Sequence, residues 1–199
     1  LLELYETTFK VEYLKIALDL NEDLIEHFWD NAGAAFFFTA DDAESILVRQ
    51  KQIYDGAVPS GNSVAMLNLL RLGRLTASTE LEQKAARIGA AFSETVRQQP
   101  SAHTQLMVAL DFAVGPSYEV VIAGKPTGDD TRAMVAAIRR RFIPNKIVIL
   151  RPVDEPSPGI DNIAPFARQN SASQGKATAY ICLNYNCKLP TTDINAMIE

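Results

Sequence analysis

Between Val64 and Leu75 the side chains of Val64, Met66, Leu67, Leu69, Leu70, Leu72 and Leu75 cover most of a helix's circumference. Only Asn68, Arg71 and Arg74 leave a polar stripe. A helix this apolar is packed on most sides, so the chain must build other elements around it. The spacing predicts it from about Ser63 to Leu75. It is entered through a polar corner, Pro59-Ser60-Gly61-Asn62-Ser63, within "YDGAVPSGNSVAMLNLLRL". Ser60, Asn62 and Ser63 can accept from the free N–H groups of a first helical turn, and Gly61 suits a tight bend. A helix N-terminus also favours anions and hydroxyl-rich ligands. The corner therefore reads either as a cap or as a ligand-contacting surface, with Tyr54, Asp55, Ser60, Asn62 and Ser63 as the candidate binding residues. Asp55 is the candidate catalytic residue, a general acid or base if buried, and otherwise a turn residue before Gly56.

The neighbouring segments supply the packing. Helices are expected over Leu1 to about Thr8, Val11–Trp29, about Glu80–Arg97 and about Ala102–Val114, alternating between apolar and amphipathic character. A shift of 68 residues places Leu1, Leu2, Leu4, Thr8, Glu12 and Ala17 on Leu69, Leu70, Leu72, Thr76, Glu80 and Ala85. The repeated unit is an inner helix, a short turn and an outer helix, the pattern of stacked helical hairpins. Phe36–Thr39 and Ile46–Val48 are β-prone runs around the acidic Asp41-Asp42 turn, expected as a hairpin or a long structured loop. After Gly115-Pro116 the pattern changes. Glu119–Ala123, Asp129–Phe142 and Lys146–Leu150 read as strand, helix and strand, a parallel βαβ unit with Asp129 or Asp130 near the helix cap. Ala177–Leu183 reads as a third strand, and a last helix follows Thr192-Asp193. The expected class is α+β: helical hairpins over 1–115, then a small α/β unit with a mostly parallel sheet over 116–199.

A net charge of −5 without a basic stripe argues against nucleic acid as a partner. Arg139-Arg140-Arg141 suits a helix C-terminus. No apolar run approaches the roughly 18 residues needed to cross a membrane, and no signal peptide is visible. The chain does not begin with Met and Leu1 reads as mid-helix, so a piece of a longer protein is expected. With two cysteines the chain is no disulfide-stapled scaffold, and a cytoplasmic setting is the default.

The segments "GAAFFFTADDAESILVRQKQ", "YDGAVPSGNS", "YEVVIAG" and "ATAYICLNYNCKLPTTD" resemble the C-terminal portion of thioredoxin-domain-containing proteins related to spermatogenesis-associated protein 20. The resemblance extends over nearly the whole chain. It implies an N-terminal thioredoxin-like domain followed by an α/α toroid similar to six-hairpin glycosidases and N-acylglucosamine 2-epimerases, of which this chain holds the last hairpins. In such toroids the loops entering inner helices face a central cavity. An incomplete toroid leaves one flank of apolar helix surface, a place for association, including a homo-oligomer.

The remaining chemistry is sparse. A glycosidase needs two opposed carboxylates, and none of Asp41, Asp42 or Glu44 pairs convincingly with Asp55. An epimerase of the similar fold would use histidines, but His27 and His103 follow no recognisable motif and make a poor metal pair. "AGKPTGDDT" is a βα turn and not a phosphate loop. Neither a metal nor a cofactor is implied. Cys182 and Cys187 would lie on opposite faces of a straight strand. They can approach if the chain turns at Asn184-Tyr185-Asn186, and they are then either structural thiols or a redox pair. Two functions follow. The first is a scaffold or interaction module for the thioredoxin-like domain. The second is a toroid that binds a sugar-like small molecule near residues 54–63 and isomerises or hydrolyses it.

Overall fold

The computed structural model describes residues 1–44 and 46–198. Among the described residues, eight α-helices and a four-stranded mixed sheet make it an α+β chain. It divides into two compact units. One contains residues 16–74 and 78–115, and the other residues 1–15, 75–77 and 116–199, so the first helix groups with the sheet.

Four helices carry the N-terminal half: α1 (Leu2–Thr8), α2 (Val11–Phe28), α3 (Gly61–Thr76) and α4 (Thr79–Gln98). The internal repeat is visible in their boundaries. Helix α1 ends at Thr8 and α3 at Thr76, while α2 starts at Val11 and α4 at Thr79, each pair 68 residues apart. The turn repeats as well, because Phe9 and Ala77 occupy the same offset and both are left-handed, with φ 55° and 57°. Neither is glycine, so two L side chains carry a conformation they rarely adopt in order to make the same tight corner.

In the helical unit α3 begins at Gly61, two residues before the expected start at Ser63, with Ser60 preceding the first turn. Met66, Leu69, Leu70 and Leu72 are buried, as are Ala85, Ile88 and Val96 of α4. Helix α5 (Thr104–Val114) adds Leu106, Ala109 and Phe112. A Cβ at Gly89 would stand 3.2 Å from Met66 Cε and 3.6 Å from Leu110 Cδ2, so the three helices close together there. At the other end a Cβ at Gly73 would meet Glu82 Cγ at 2.7 Å, beside the 3.0 Å ion pair of Arg74 and Glu82.

The runs around Asp41-Asp42 form a long structured loop, not a hairpin. Among the described residues their one ladder contact is an isolated bridge between Trp29 and Phe36; Ser45 lies outside the described residues. Cations hold this backbone instead of a strand partner. Lys51 Nζ reaches Asp30 Oδ2 at 2.5 Å and Ala34 O at 2.6 Å. Arg49 donates to Thr39 O and His27 O while its guanidinium lies 4.2 Å from the Phe37 ring centre. The Lys51 hydrogen bond, with the Gly33 and Ala32 N–H groups, holds the Asp30 carboxyl down to about 2.

In the other unit β1 (Tyr118–Gly124), α6 (Asp129–Arg139) and β2 (Lys146–Pro152) form the expected βαβ pair, with Tyr118 opposite Lys146 in parallel register. Helix α6 stops at Arg139, short of Phe142. Gly128 is its cap residue and Asp129 and Asp130 follow in the first turn, as expected; Asp130 accepts from Thr131 N at 2.8 Å and from Ala177 N at 2.7 Å. A short α7 (Ile160–Ile163) and a 3₁₀ turn at Pro165–Gln169 lead to β3 (Thr178–Leu183). The sheet order is β2-β1-β3-β4, with β4 (Asn186–Cys187) at the edge.

The sheet is mixed rather than mostly parallel, because β3 runs antiparallel to β1. A parallel third strand would need a crossover that carries the chain back along the sheet. Residues 153–177 hold only short helical turns and deliver Thr178 opposite Ala123, at the end of β1. Val120, Ile122, Val148, Leu150, Ala179 and Ile181 share one sheet face. Met134, Val135 and Ile138 of α6 pack on it, with Met197 of α8 (Ile194–Ile198). Val121, Ile147 and Ile149 are buried on the opposite face, which explains why β1 and β2 read as unbroken apolar runs.

Candidate functional site

The polar corner is one hydrogen-bonded unit centred on Asp55, which is only 8% exposed. Its Oδ1 accepts from Ser60 N at 2.8 Å. Its Oδ2 accepts from Ser63 Oγ at 3.1 Å, Gln105 N at 2.9 Å and Leu106 N at 3.1 Å. Gln105 and Leu106 lie in the first turn of α5, so one carboxylate caps α5 directly. It also fixes Ser60, whose Oγ accepts from Ser63 N at 3.1 Å and caps α3. The donors are unevenly shared, one on Oδ1 and three crowded on Oδ2. Burial pushes the Asp55 carboxyl up, but the donors from Ser60, Leu106, Ser63 and Gln105 outweigh it and hold it below its ordinary value. A carboxylate held below its ordinary value by four protein donors has no proton to give near neutral pH, and its charge is already used to fix the starts of α3 and α5.

Asn62 is also fully engaged. Its Oδ1 accepts from Phe36 N at 2.7 Å, and its Nδ2 donates to Phe36 O and Gln52 O, both at 2.9 Å. It clamps the long loop to the start of α3. His103 is buried, and its Nδ1 donates to Ile53 O at 2.9 Å, beside the bond from Asp55 N to Ala102 O. Tyr54 stands apart, 68% exposed with its ring over Gly56. The structure thus unites Asp55, Ser60, Asn62 and Ser63 and leaves Tyr54 outside. Sequence reasoning missed the α5 partners Gln105 and Leu106, because a backbone N–H carries no residue signature.

Beside the corner a groove of about 240 Å³ is walled by Leu24, Phe28, Phe36, Phe37 and Phe38. Its polar lining is Gln52 and Asn62, and no carboxylate or histidine faces it among the described residues. His27 lies elsewhere, at the end of α2, 3.0 Å from Asp41 Oδ1 and 3.9 Å from Asp42 Oδ2. The Asp41 hydrogen bond raises the imidazole above its ordinary value. These three groups could offer a cation ligand atoms within 4.8 Å of one another, but they lie at the surface. Arg139, in the basic run, is structural: it donates to Glu6 O and Thr7 O and so caps the C-terminus of α1.

The second candidate region is the β3–β4 hairpin. Leu183 pairs with Asn186, leaving Asn184 and Tyr185 as a two-residue turn with φ 49° and 65°. Two successive left-handed residues are the signature of the tight turn that matches strand twist. The reversal sets Cys182 opposite Cys187, and the two form a disulfide. The opposite-face placement on a straight strand does not arise, because the strand ends between them. Ser117 fastens the turn, its N donating to Asn184 Oδ1 at 3.0 Å and its O accepting from Asn184 N at 3.0 Å. Tyr185 N reaches Glu119 Oε2 at 3.2 Å. Cys187 is exposed and Cys182 half-buried.

No family model matches the chain. Curated proteins do. The chain is 36% identical over 194 residues to spermatogenesis-associated protein 20 of Homo sapiens, covering 97% of this chain and 25% of the human protein. The Rattus norvegicus protein of the same name is also 36% identical over 194 residues. An uncharacterised protein of Caenorhabditis elegans is 29% identical over 200 residues, with 26% of its length covered. The chain is therefore homologous to a segment of these larger proteins and spans about a quarter of their length.

Proposed function

We propose that this chain is a non-catalytic module of a larger protein, and that it serves a thioredoxin-like domain of that protein through the Cys182–Cys187 hairpin. The observation that carries this reading is the contrast in availability. The corner's polar groups are consumed by folding, whereas the disulfide sits on an edge hairpin with Cys187 exposed. In a cytoplasmic setting a disulfide of this kind is redox-active rather than structural. Exchange would begin when a thiolate of the partner attacks Cys187 Sγ, releasing Cys182 as a thiolate and forming a mixed disulfide. The partner's second thiol then closes its own disulfide, leaving Cys187 and Cys182 as a reduced pair. Apolar side chains exposed on the helical unit, Ile16, Leu20, Met107 and Val108, support packing against further helices of the parent or a second copy.

Trapping tests this reading. In the complete parent protein, replacing the partner domain's resolving cysteine should accumulate a mixed disulfide that peptide mapping places at Cys187. Cys187→Ser should abolish it. A Cys182–Cys187 pair that stays oxidised beside the reduced domain would remove the proposal.

The groove at Phe28, Phe36 and Phe37 favours a second reading, binding of a sugar-like molecule against aromatic walls. Without an acid or base facing the groove, that reading is one of binding. Crystals of the parent soaked with mono- and disaccharides test it: sugar density against Phe36 and Phe37 supports it, and an empty groove removes it.

A further inference from the structure

At the end of the sheet opposite the β1–α6 loop lies a cavity of about 340 Å³ between the sheet, the C-terminus of α6 and α8. That volume falls at the small end of the range for small-molecule sites, roughly 300–1,000 Å³. Its walls are mainly aliphatic, with Val120 and Ile181 from the strands, Ile138 from α6, and Met197 and Ile198 from α8, and Tyr118 of β1 also lines it. Its charged lining is of one sign. Arg141, Lys146 and Lys188 line it, and no carboxylate does so among the described residues, although the chain as a whole is acidic. Lys146 Nζ is partly engaged by Ile143 O at 3.0 Å. Arg141 and Lys188 are exposed, and Lys188 is fixed opposite Ile181 by its backbone bond to Ile181 O at 2.9 Å. Phe142, another lining residue, leaves its side chain 94% exposed.

We infer that this cavity binds the anionic end and alkyl chain of a single-chain fatty carboxylate. Methylene groups suit these mainly aliphatic walls, since an alkyl chain adapts to branched aliphatic side chains and to the flexible thioether of Met197. The carboxylate suits the cations, with Arg141 able to hold both oxygens through its planar fork. Phe142 gains cover when the chain lies against it. Uniform positive lining disfavours a cationic amphiphile and gives a neutral alcohol of the same length nothing to replace its lost charge contact. This site shares no residue with the polar corner or the cysteine pair, so it stands whether or not thiol exchange occurs.

The test uses the complete parent protein titrated with decanoate below its micelle-forming concentration, with decanol and a decyl ammonium salt in parallel. Calorimetry gives affinity, and a ¹³C-labelled methionine methyl spectrum locates the site. Decanoate is expected to saturate at one per chain, at least tenfold tighter than decanol, and to shift the Met197 methyl signal. The exposed substitutions Arg141→Glu and Lys188→Glu together should weaken it at least tenfold while leaving the melting temperature in place. Equal binding of decanol, undiminished binding in the double variant or an unmoved Met197 signal would each overturn the inference. So would an absence of binding, which is the outcome if another segment of the parent covers this groove.

Discussion

Both candidate regions are tight corners rich in side-chain hydrogen bonds, yet they differ in what those bonds leave over. At Asp55 four donors converge on one buried carboxylate, and the two helices it caps belong to the helical core. At the β3–β4 hairpin the backbone is pinned by Ser117 and Glu119, while the disulfide remains at the surface. A polar cluster is thus no evidence of a reactive site until its valences are counted. The buried cluster holds the fold, and the exposed edge keeps a bond that chemistry can reach.

The largest test of that difference is Asp55→Asn. The amide keeps the shape but loses the charge, and its NH₂ group faces N–H donors. Hydrogen bonds to a charged group are worth about 1.5–3 kcal/mol, and unsatisfied buried groups add to the loss. A destabilisation of about 3 kcal/mol or more is expected, measured by denaturant unfolding. Hydrogen exchange should speed at Ser60, Gln105 and Leu106 and not along β3. Unchanged protection at those amides would show that the carboxylate is dispensable for folding.

Acid should reach the same corner without mutation. The folded Asp55 carboxyl lies below its ordinary value of 3.8. Its stabilisation is therefore fully present well above that value and is lost as pH falls through it towards the depressed folded one. Protection of the α3 and α5 first turns should fall in that window. Asp55→Asn should flatten the dependence; an equally steep fall in the variant would assign it to other carboxylates, Asp30 first.

Cys187→Ser comes next. Closing so short a loop stabilises by about 2 kcal/mol at most in the chain-entropy account. The loss should stay in the sheet unit, leaving the α3 and α5 amides as protected as before. Loss of the mixed disulfide without loss of fold is the expected phenotype, read by non-reducing electrophoresis of the trapped parent beside its melting temperature.

The sequence made the helices legible because their apolar spacing is dense and local, and the repeat at 68 residues foretold both the helix ends and the shared turn. It made the ingredients of the corner legible as well, since Ser60 is a cap by chemistry and Ser63 a hydroxyl donor beside it. Two things escaped it. The direction of β3 is set by the length and shape of residues 153–177, and an apolar run such as Ala177–Leu183 reads alike in either direction. The sharing of Asp55 between α3 and α5 depends on backbone N–H groups some fifty residues away. The β-prone runs flanking Asp41-Asp42 misled in the opposite sense: their propensity is real, but Arg49 and Lys51 bind the carbonyls and the Phe37 ring and leave no strand to pair.

The smallest effect is the most specific to the hairpin. Tyr185 holds φ 65° with a full side chain, in a conformation that costs an L residue roughly 1–2 kcal/mol and glycine almost nothing. Glycine also enlarges the unfolded ensemble, which offsets part of the gain. Tyr185→Gly should therefore stabilise the hairpin by about 0.5–1 kcal/mol and make Cys187 harder to reduce, because the turn would favour the closed pairing of Cys182 and Cys187 even after the bond opens. A midpoint of reduction that does not move, measured against a glutathione series, would mean that the turn's strain is not coupled to the cysteine pair. The exposed bond would then be set by solvent access alone, and the contrast with the buried corner would rest on burial and not on backbone conformation.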